Sequence, residues 1–483
     1  MDELHGAAQR LERLGLFFVA AFFVLSGLLV YWQVIRAADL VNRPDDPRLY
    51  AAQLAVHRGM IIDRRGSRLA RTVFEQGDPV RRLTDPSLSL LIGYHSLRYD
   101  DSGIEGAYND YLNGAGRNQP LDNVVRGLLH QSQLGDTLQL TIDDRIQQLA
   151  DQALGDGEGV ALVADPRTGQ ILAMVSKPGF DAGLIDQPGY WDSLQVPGSP
   201  LLNRAIEGRY TPGSIFKTVT LATALSTGAY RLDSVFKGQD ATGPLYVDGS
   251  LIHASASNLP DGLGSVTLKE AFKYSDNIAF AVTGLHLGAR ALLDGAHAFG
   301  FDQDIPFDLP VTRSTVTEDL NGFSRFQIAT SAFGQGTVQV TPLQMLLADE
   351  AVANGGTIMS PYVVKRITAP NGEVLLDRQP RAWLDALSPQ VARGVGEAML
   401  SVVNDPGGSG YLARLPGVQV AGKTGTAQVD TPGALPHAWF MAYAPADHPR
   451  LAVVVLKVHG GEGATAAVPI AAQILAGALP LYH

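Results

Sequence analysis

Between Gly15 and Ile35 the chain carries no charged side chain, and the stretch from Leu16 to Leu25 is apolar throughout. A run of this length is about sufficient to cross a bilayer as a helix. Tyr31 and Trp32, near its end, suit the lipid–water boundary. The bulky Trp32-Gln33-Val34-Ile35-Arg36 lacks the small residues of a signal-peptide cleavage site. The expected layout is therefore a tail over 1–14 and a transmembrane helix over 15–35; the flanking arginines on both sides leave the orientation open. Further on, the pattern changes to that of a folded core. Ile146, Leu149, Ala153 and Leu154 share one face of a helix that should start near Asp143. The apolar runs 437–445 and 451–456, separated by the polar turn 447–450, predict a buried hairpin. Another hairpin is expected around Arg167-Thr168-Gly169, so early and late strands can share one antiparallel sheet. Helices fill the middle. The Thr267-to-Glu270 capping box starts a short one. Thr341-Pro342 starts another, stopped by Asn354-Gly355-Gly356, and Ser388-Pro389 starts one that ends by Asn404. A last helix is predicted over 464–479.

Composition narrows the picture. A chain of 483 residues is long enough for more than one domain with a sizeable core. With 37 basic against 48 acidic residues, it has no electrostatic footprint for nucleic acid. It has no cysteine, which excludes disulfides, thiolate catalysis and a lipidated N-terminal Cys. The histidines are scattered without metal-ligand spacing, and nothing calls for a cofactor.

Three short motifs carry chemistry. Ser214-Ile215-Phe216-Lys217 follows Pro212-Gly213 and leads into an apolar stretch, so Ser214 should open a helix with Lys217 on the same face. A serine hydroxyl needs a base to become a nucleophile, and a desolvated lysine can serve. Arginine cannot be deprotonated there. Lysine occurs at only eight positions in this chain, which marks Lys217 further. Chance alone supplies Ser-x-x-Lys spacings, and Ser234-Val235-Phe236-Lys237 is such a decoy, with no Pro-Gly turn before it and no apolar helix after it. Ser275-Asp276-Asn277 should lie at the end of the capped helix or in the next loop. Ser275 can pass a proton, Asn277 can bind a peptide-like substrate, and Asp276 shapes the turn. Lys423-Thr424-Gly425-Thr426 should begin a strand beside the C-terminal hairpin. Gly425 lets substrate approach the backbone. Lys423 and the hydroxyls of Thr424 and Thr426 would hold a carboxylate, and the N–H groups of Ser214 and Thr426 would form an oxyanion hole. Each motif alone is ordinary turn or loop chemistry; their order and flanks distinguish them.

In that order, the three motifs resemble the active site of penicillin-binding proteins. The resemblance extends through most of the chain from Arg58. Arg58 to Gly66 with Leu69-Ala70, and Gly103-Ile104-Glu105 with Tyr108 and Leu112, are similar to the pedestal motifs of class B, monofunctional members. Asp165 to Met174, Asn203-Arg204-Ala205, Gly334-Gln335-Gly336 and Thr341 to Gln344 resemble further parts of the transpeptidase domain. The resemblance implies an α+β transpeptidase fold, an antiparallel sheet flanked by helices plus an all-helical subdomain, over 141–483. A pedestal over 37–139 would precede it. It also implies D,D-transpeptidation of peptidoglycan stem peptides through a Ser214 acyl-enzyme, covalent capture by β-lactams, and a catalytic domain outside the bacterial cytoplasmic membrane with 1–14 as the cytoplasmic tail. A SEDS-type glycosyltransferase (RodA/FtsW type) is the implied partner of membrane helix and pedestal.

Two alternatives share these features. A β-lactamase or β-lactam sensor uses the same serine and lysines, but Thr317 stands where a class A β-lactamase has its deacylating glutamate. A mainly non-catalytic scaffold would use the membrane helix and pedestal alone.

Overall fold

The computed structural model describes residues 2–32, 36, 56–75, 78–116, 133–254, 264–319, 322–429 and 431–482, with backbone alone for 2–12 and 242. The chain divides into two compact units, one comprising 1–57 and 121–133, the other 58–120 and 134–483. In the first unit a single helix, Asp2–Val30, contains the apolar run, and Arg13–Val30 is long and apolar enough to cross a membrane. The expected span over 15–35 thus coincides with this helix as far as Val30, while 33–35 lie outside the described residues. The helix also takes in most of the expected tail.

The second unit is built on a five-stranded antiparallel sheet. Its spatial order is Ala421–Ala427, His437–Ala444, Leu451–Lys457, Gly159–Asp165 and Gln170–Lys177. The two expected hairpins supply four of these strands. Both faces are covered, so nearly every strand residue is buried and the strands read as continuous apolar runs rather than alternating ones. The pleat still sorts them. Ala161, Val163, Phe440 and Val453 pack with Ile146, Leu154, Ile474 and Leu475 of helices Asp144–Leu154 and Val468–Ala478. Leu162, Met441, Val454 and Leu456 face the larger core with Val219, Leu346 and Val395.

Local chemistry sets the helix ends as expected. Thr267 and Glu270 form a reciprocal capping box, Thr341 and Ser388 cap helices with Pro342 and Pro389 in their first turns, and Asp143 caps Asp144–Leu154. The expected helix over 464–479 is two helices, Gly463–Ala466 and Val468–Ala478. Pro469, lacking an N–H, sits in the first turn of the second and favours a restart there.

A second sheet of six strands runs Val374–Asp377, Val364–Thr368, Thr137–Leu140, Ile61–Ile62, Arg68–Glu75, Asp78–Leu83. It joins strands from the expected pedestal to a hairpin some 220 residues later. Strands 61–83 and 137–140, at the expected pedestal, therefore share a sheet with 364–377 of the expected transpeptidase domain inside the second unit, although the two were expected as separate regions. Of the expected pedestal, 37–55, 76–77 and 117–132 lie outside the described residues. Within the pedestal stretch Glu105 is fully buried between Arg58 and Arg81, at 2.8 and 2.6 Å. Burial opposes its charge, but Arg81 and Arg58 hold the carboxyl below its ordinary range.

Candidate active site

Ser214 lies in a 3₁₀ turn, Gly213–Phe216, which runs directly into helix Lys217–Ser226. In such a turn residues three apart eclipse, which puts Lys217 on the side of Ser214. Two glycines let the turn pack tightly. Gly213 has φ +57°, and a Cβ there would sit 2.8 Å from the Thr426 carbonyl oxygen; at Gly334 a Cβ would come within 1.9 Å of the Gly213 oxygen. The Gly213 N–H donates to the Gly334 carbonyl at 2.8 Å, and Trp439 Nε1 donates to the Thr211 carbonyl at 3.0 Å. The decoy Ser234 instead precedes a short strand, Val235–Lys237, whose Lys237 is exposed.

Ser275-Asp276-Asn277 forms the link between helices Leu268–Lys273 and Asn277–Ala298. Asp276 caps the second helix, accepting from the Ile278 N–H at 2.9 Å. Ser275 has φ +62°, a left-handed conformation unusual for serine, and is buried. Lys423-Thr424-Gly425-Thr426 lies in Ala421–Ala427, the edge strand of the five-stranded sheet.

These segments meet at two lysines. Lys217 Nζ donates to the Ser275 carbonyl at 2.7 Å and to Asn277 Oδ1 at 2.8 Å, and lies 3.4 Å from Ser275 Oγ. Lys423 Nζ donates to the same Ser275 Oγ at 2.9 Å and to the Thr424 carbonyl at 3.1 Å. Both lysines are fully buried while Ser214 remains half-buried. No hydrogen bond links Lys217 to Ser214 directly; Ser275 joins the two amines.

The electrostatics follow from this burial. Desolvation pulls Lys217 down to about 7, opposed by the nearby Asp276 carboxylate. Lys423 is held well below its ordinary value by burial and then by Lys217. Two ammonium groups bracketing one buried hydroxyl are costly, so the site disfavours charging both lysines at once. Phenyl rings surround the pair: Lys217 Nζ is 5.5 Å from the Phe280 centroid and Lys423 Nζ 5.3 Å from that of Phe272. The remaining motif hydroxyls are also held. Thr426 Oγ1 accepts from the Gly463 N–H at 3.2 Å, leaving its own proton to donate. Thr424 Oγ1 lies 2.8 Å from Ser409 Oγ.

Ser409 has no counterpart in the sequence reading. Its only signal is the glycine-rich Gly407-Gly408-Ser409-Gly410, which reads as a loop after Asn404 and does not by itself point to the edge strand. Thr317 is buried, whereas Glu318 turns outward to Arg209 at 2.9 Å; Leu320 and Asn321 lie outside the described residues.

Comparison with known proteins identifies the family. The penicillin-binding protein transpeptidase domain matches residues 159–476. The peptidoglycan D,D-transpeptidase PbpA of Mycolicibacterium smegmatis is 33% identical over 471 residues, covering 92% of this chain and 94% of its own. The protein of the same name from Mycobacterium tuberculosis is 34% identical over 475 residues, with the same coverage. Among solved structures, the ceftriaxone acyl-enzyme complex of penicillin-binding protein A from M. tuberculosis superposes with TM-score 0.81 at 32% identity, covering 89% of this chain and 100% of that one. A D,D-transpeptidase domain from Eggerthella lenta superposes with TM-score 0.78 at 34% identity, covering 88% and 99%. With the domain match, the shared fold and near-complete coverage, this chain belongs to the penicillin-binding proteins, in their class B branch.

Proposed function

We propose that the protein is a peptidoglycan D,D-transpeptidase working through a Ser214 acyl-enzyme. The observation that carries this reading is the convergence of two buried lysines on the Ser275 hydroxyl beside the half-buried Ser214. Ser214 Oγ attacks the penultimate D-Ala carbonyl as its proton passes to neutral Lys217. The oxyanion is met by the N–H groups of Ser214 and Thr426. The C–N bond then breaks, and the leaving D-Ala amine takes a proton relayed from Lys217 through Ser275. In the second half, an amine of a neighbouring strand attacks the ester, gives up a proton by the same relay, and restores Ser214. Lys423, Thr424 and Thr426 hold the donor carboxylate, and Asn277 both accepts from Lys217 and faces the peptide; Gly425, expected to admit substrate, instead lets the edge strand pack on the Ser214 turn, because a Cβ there would sit 2.9 Å from the Pro212 carbonyl oxygen.

The absence of a carboxylate at 317, with Glu318 paired outward to Arg209, supports transfer over hydrolysis. Labelled penicillin should attach covalently and persist on the wild-type protein and fail to attach to Ser214→Ala. Attachment to that variant would overturn the assignment; rapid turnover of penicillin would indicate a β-lactamase. The apolar N-terminal helix supports a single membrane span, and peptidoglycan as the substrate supports placing the catalytic region on the extracytoplasmic side. The pedestal motifs support docking to a SEDS-type glycosyltransferase. Co-purification of such a partner from solubilised membranes, lost when 1–36 are exchanged for an unrelated span, tests that docking.

A further inference from the structure

Away from the acyl-transfer residues, a half-open cavity of about 430 Å³ lies between the 89–107 stretch and the segment 180–207, closed on one side by Leu309 and Pro310. No residue of the three acyl-transfer motifs lines it. Its volume falls in the lower part of the range for small-molecule sites, roughly 300–1,000 Å³.

The walls are apolar: Leu90, Phe180, Leu201 and Ile206, with Tyr94. Tyr94 is fixed by edge-on packing against Phe180 and Trp191, at 5.9 and 6.0 Å between centroids. The aromatic wall is thus held open rather than free to collapse. Two carboxylates join this lining, Asp101 and Glu207, and no lysine or arginine does among the described residues. Each carboxylate is held by one oxygen. Asp101 Oδ1 lies 2.6 Å from His95 Nδ1, and Glu207 Oε2 accepts from the Asn203 N–H at 2.9 Å. Their second oxygens, Asp101 Oδ2 and Glu207 Oε1, make no hydrogen bond to the described residues.

We propose that this cavity binds a small molecule consisting of an ammonium group on an apolar body. The apolar walls reward burial of the body. The two free carboxylate oxygens accept charge-assisted hydrogen bonds from the ammonium, whereas a neutral ligand leaves them unused and an anion is repelled. The excess of acidic residues over the whole chain adds to the attraction of a cation. Asn203 and Ile206 line the cavity from a segment stitched to the catalytic core, while Glu207 stands exposed at its mouth. The Ala205 carbonyl accepts from the Leu343 N–H at 3.0 Å, and the Ile206 carbonyl accepts from the Thr312 N–H at 2.9 Å. An occupant therefore rests on a segment that leads, within a few residues, into the Ser214 turn.

The test uses the full-length protein in neutral detergent and three probes of one shape: phenethylamine, 2-phenylethanol and 3-phenylpropionate, titrated by saturation-transfer NMR. Phenethylamine should bind saturably, at least tenfold more tightly than the alcohol, with no saturable binding of the anion. Binding should weaken at least tenfold in Asp101→Asn/Glu207→Gln. It should weaken similarly in Ala107→Phe, which fills the rim and keeps both carboxylates; labelling of Ser214 by penicillin reports that each variant is folded. Prior acylation with penicillin should leave phenethylamine binding unchanged, which separates this site from the acyl-transfer centre. Equal binding of the alcohol, unchanged binding in Ala107→Phe, or displacement by penicillin each overturns the proposal.

Discussion

Lys217 offers the sharpest test of the chemistry. Its side chain is fully buried, and desolvation brings its pKa to about 7. An ordinary lysine would be neutral in roughly one molecule in three thousand at neutral pH; at a pKa near 7 the neutral fraction is about one half, a gain of about a thousandfold in competent base. If neutral Lys217 takes the Ser214 proton, the second-order rate of acylation by labelled penicillin should rise with pH and level off above the inflection. Between about pH 5.5 and about pH 8 the rise should be about thirtyfold, as the neutral fraction goes from a few per cent to nearly complete. Asp276→Asn adds a control with a fixed sign. The amide oxygen still caps the Ile278 N–H, but the negative charge that favours the ammonium is gone, so the inflection should move to lower pH. Lys217→Arg keeps the charge and cannot give up a proton, so acylation should fall by about a thousandfold or more at every pH in this window. A pH-independent rate, or an inflection unmoved by Asp276→Asn, would refute Lys217 as the base.

Three further outcomes are expected. Ser409→Ala removes the partner of the Thr424 hydroxyl and should slow acylation by about five- to tenfold, mainly through weaker binding of the β-lactam carboxylate, with recovery in Ser409→Thr; stopped-flow kinetics separate binding from the acylation step. Glu105→Ala leaves Arg58 and Arg81 buried without their shared partner and should cost about 3–5 kcal/mol, read as a lowered melting temperature. Asp349 and Glu350 are fully buried on helix Pro342–Ala353 with no hydrogen-bond partner among the described residues, and burial raises both carboxyls well above their ordinary values. The unfolded chain gives up these protons first as pH rises, so stability is fully present below the unfolded carboxyl values and declines above them. Glu350→Gln should therefore raise the melting temperature at neutral pH and flatten its decline from acid to neutral pH.

Much of this protein is written locally. Thr267 and Glu270, Ser388-Pro389 and Thr341-Pro342 set helix ends through contacts within a few residues, so the sequence suffices to place them. Pro212-Gly213 likewise separates Ser214 from Ser234, because the turn demands a positive φ and a close approach that only glycine allows. Contacts of long sequence separation are different. The hairpin 364–377 completes a sheet begun at Ile61, and nothing in its own pattern names that neighbour.

The sequence by itself determined which side chains could do acyl transfer: a serine and lysine three apart, a Ser-Asp-Asn link and a Lys-Thr-Gly-Thr strand. Only the tertiary structure decided how they act together. It brings Lys217 and Lys423 onto one Ser275 hydroxyl across 58 and 148 residues of chain, recruits Ser409 to Thr424, and buries both amines among phenyl rings. The reason is physical. A residue's identity sets the chemistry open to it, but desolvation, which turns a surface cation into a base near neutral pH, belongs to the packed core and to no single stretch of chain.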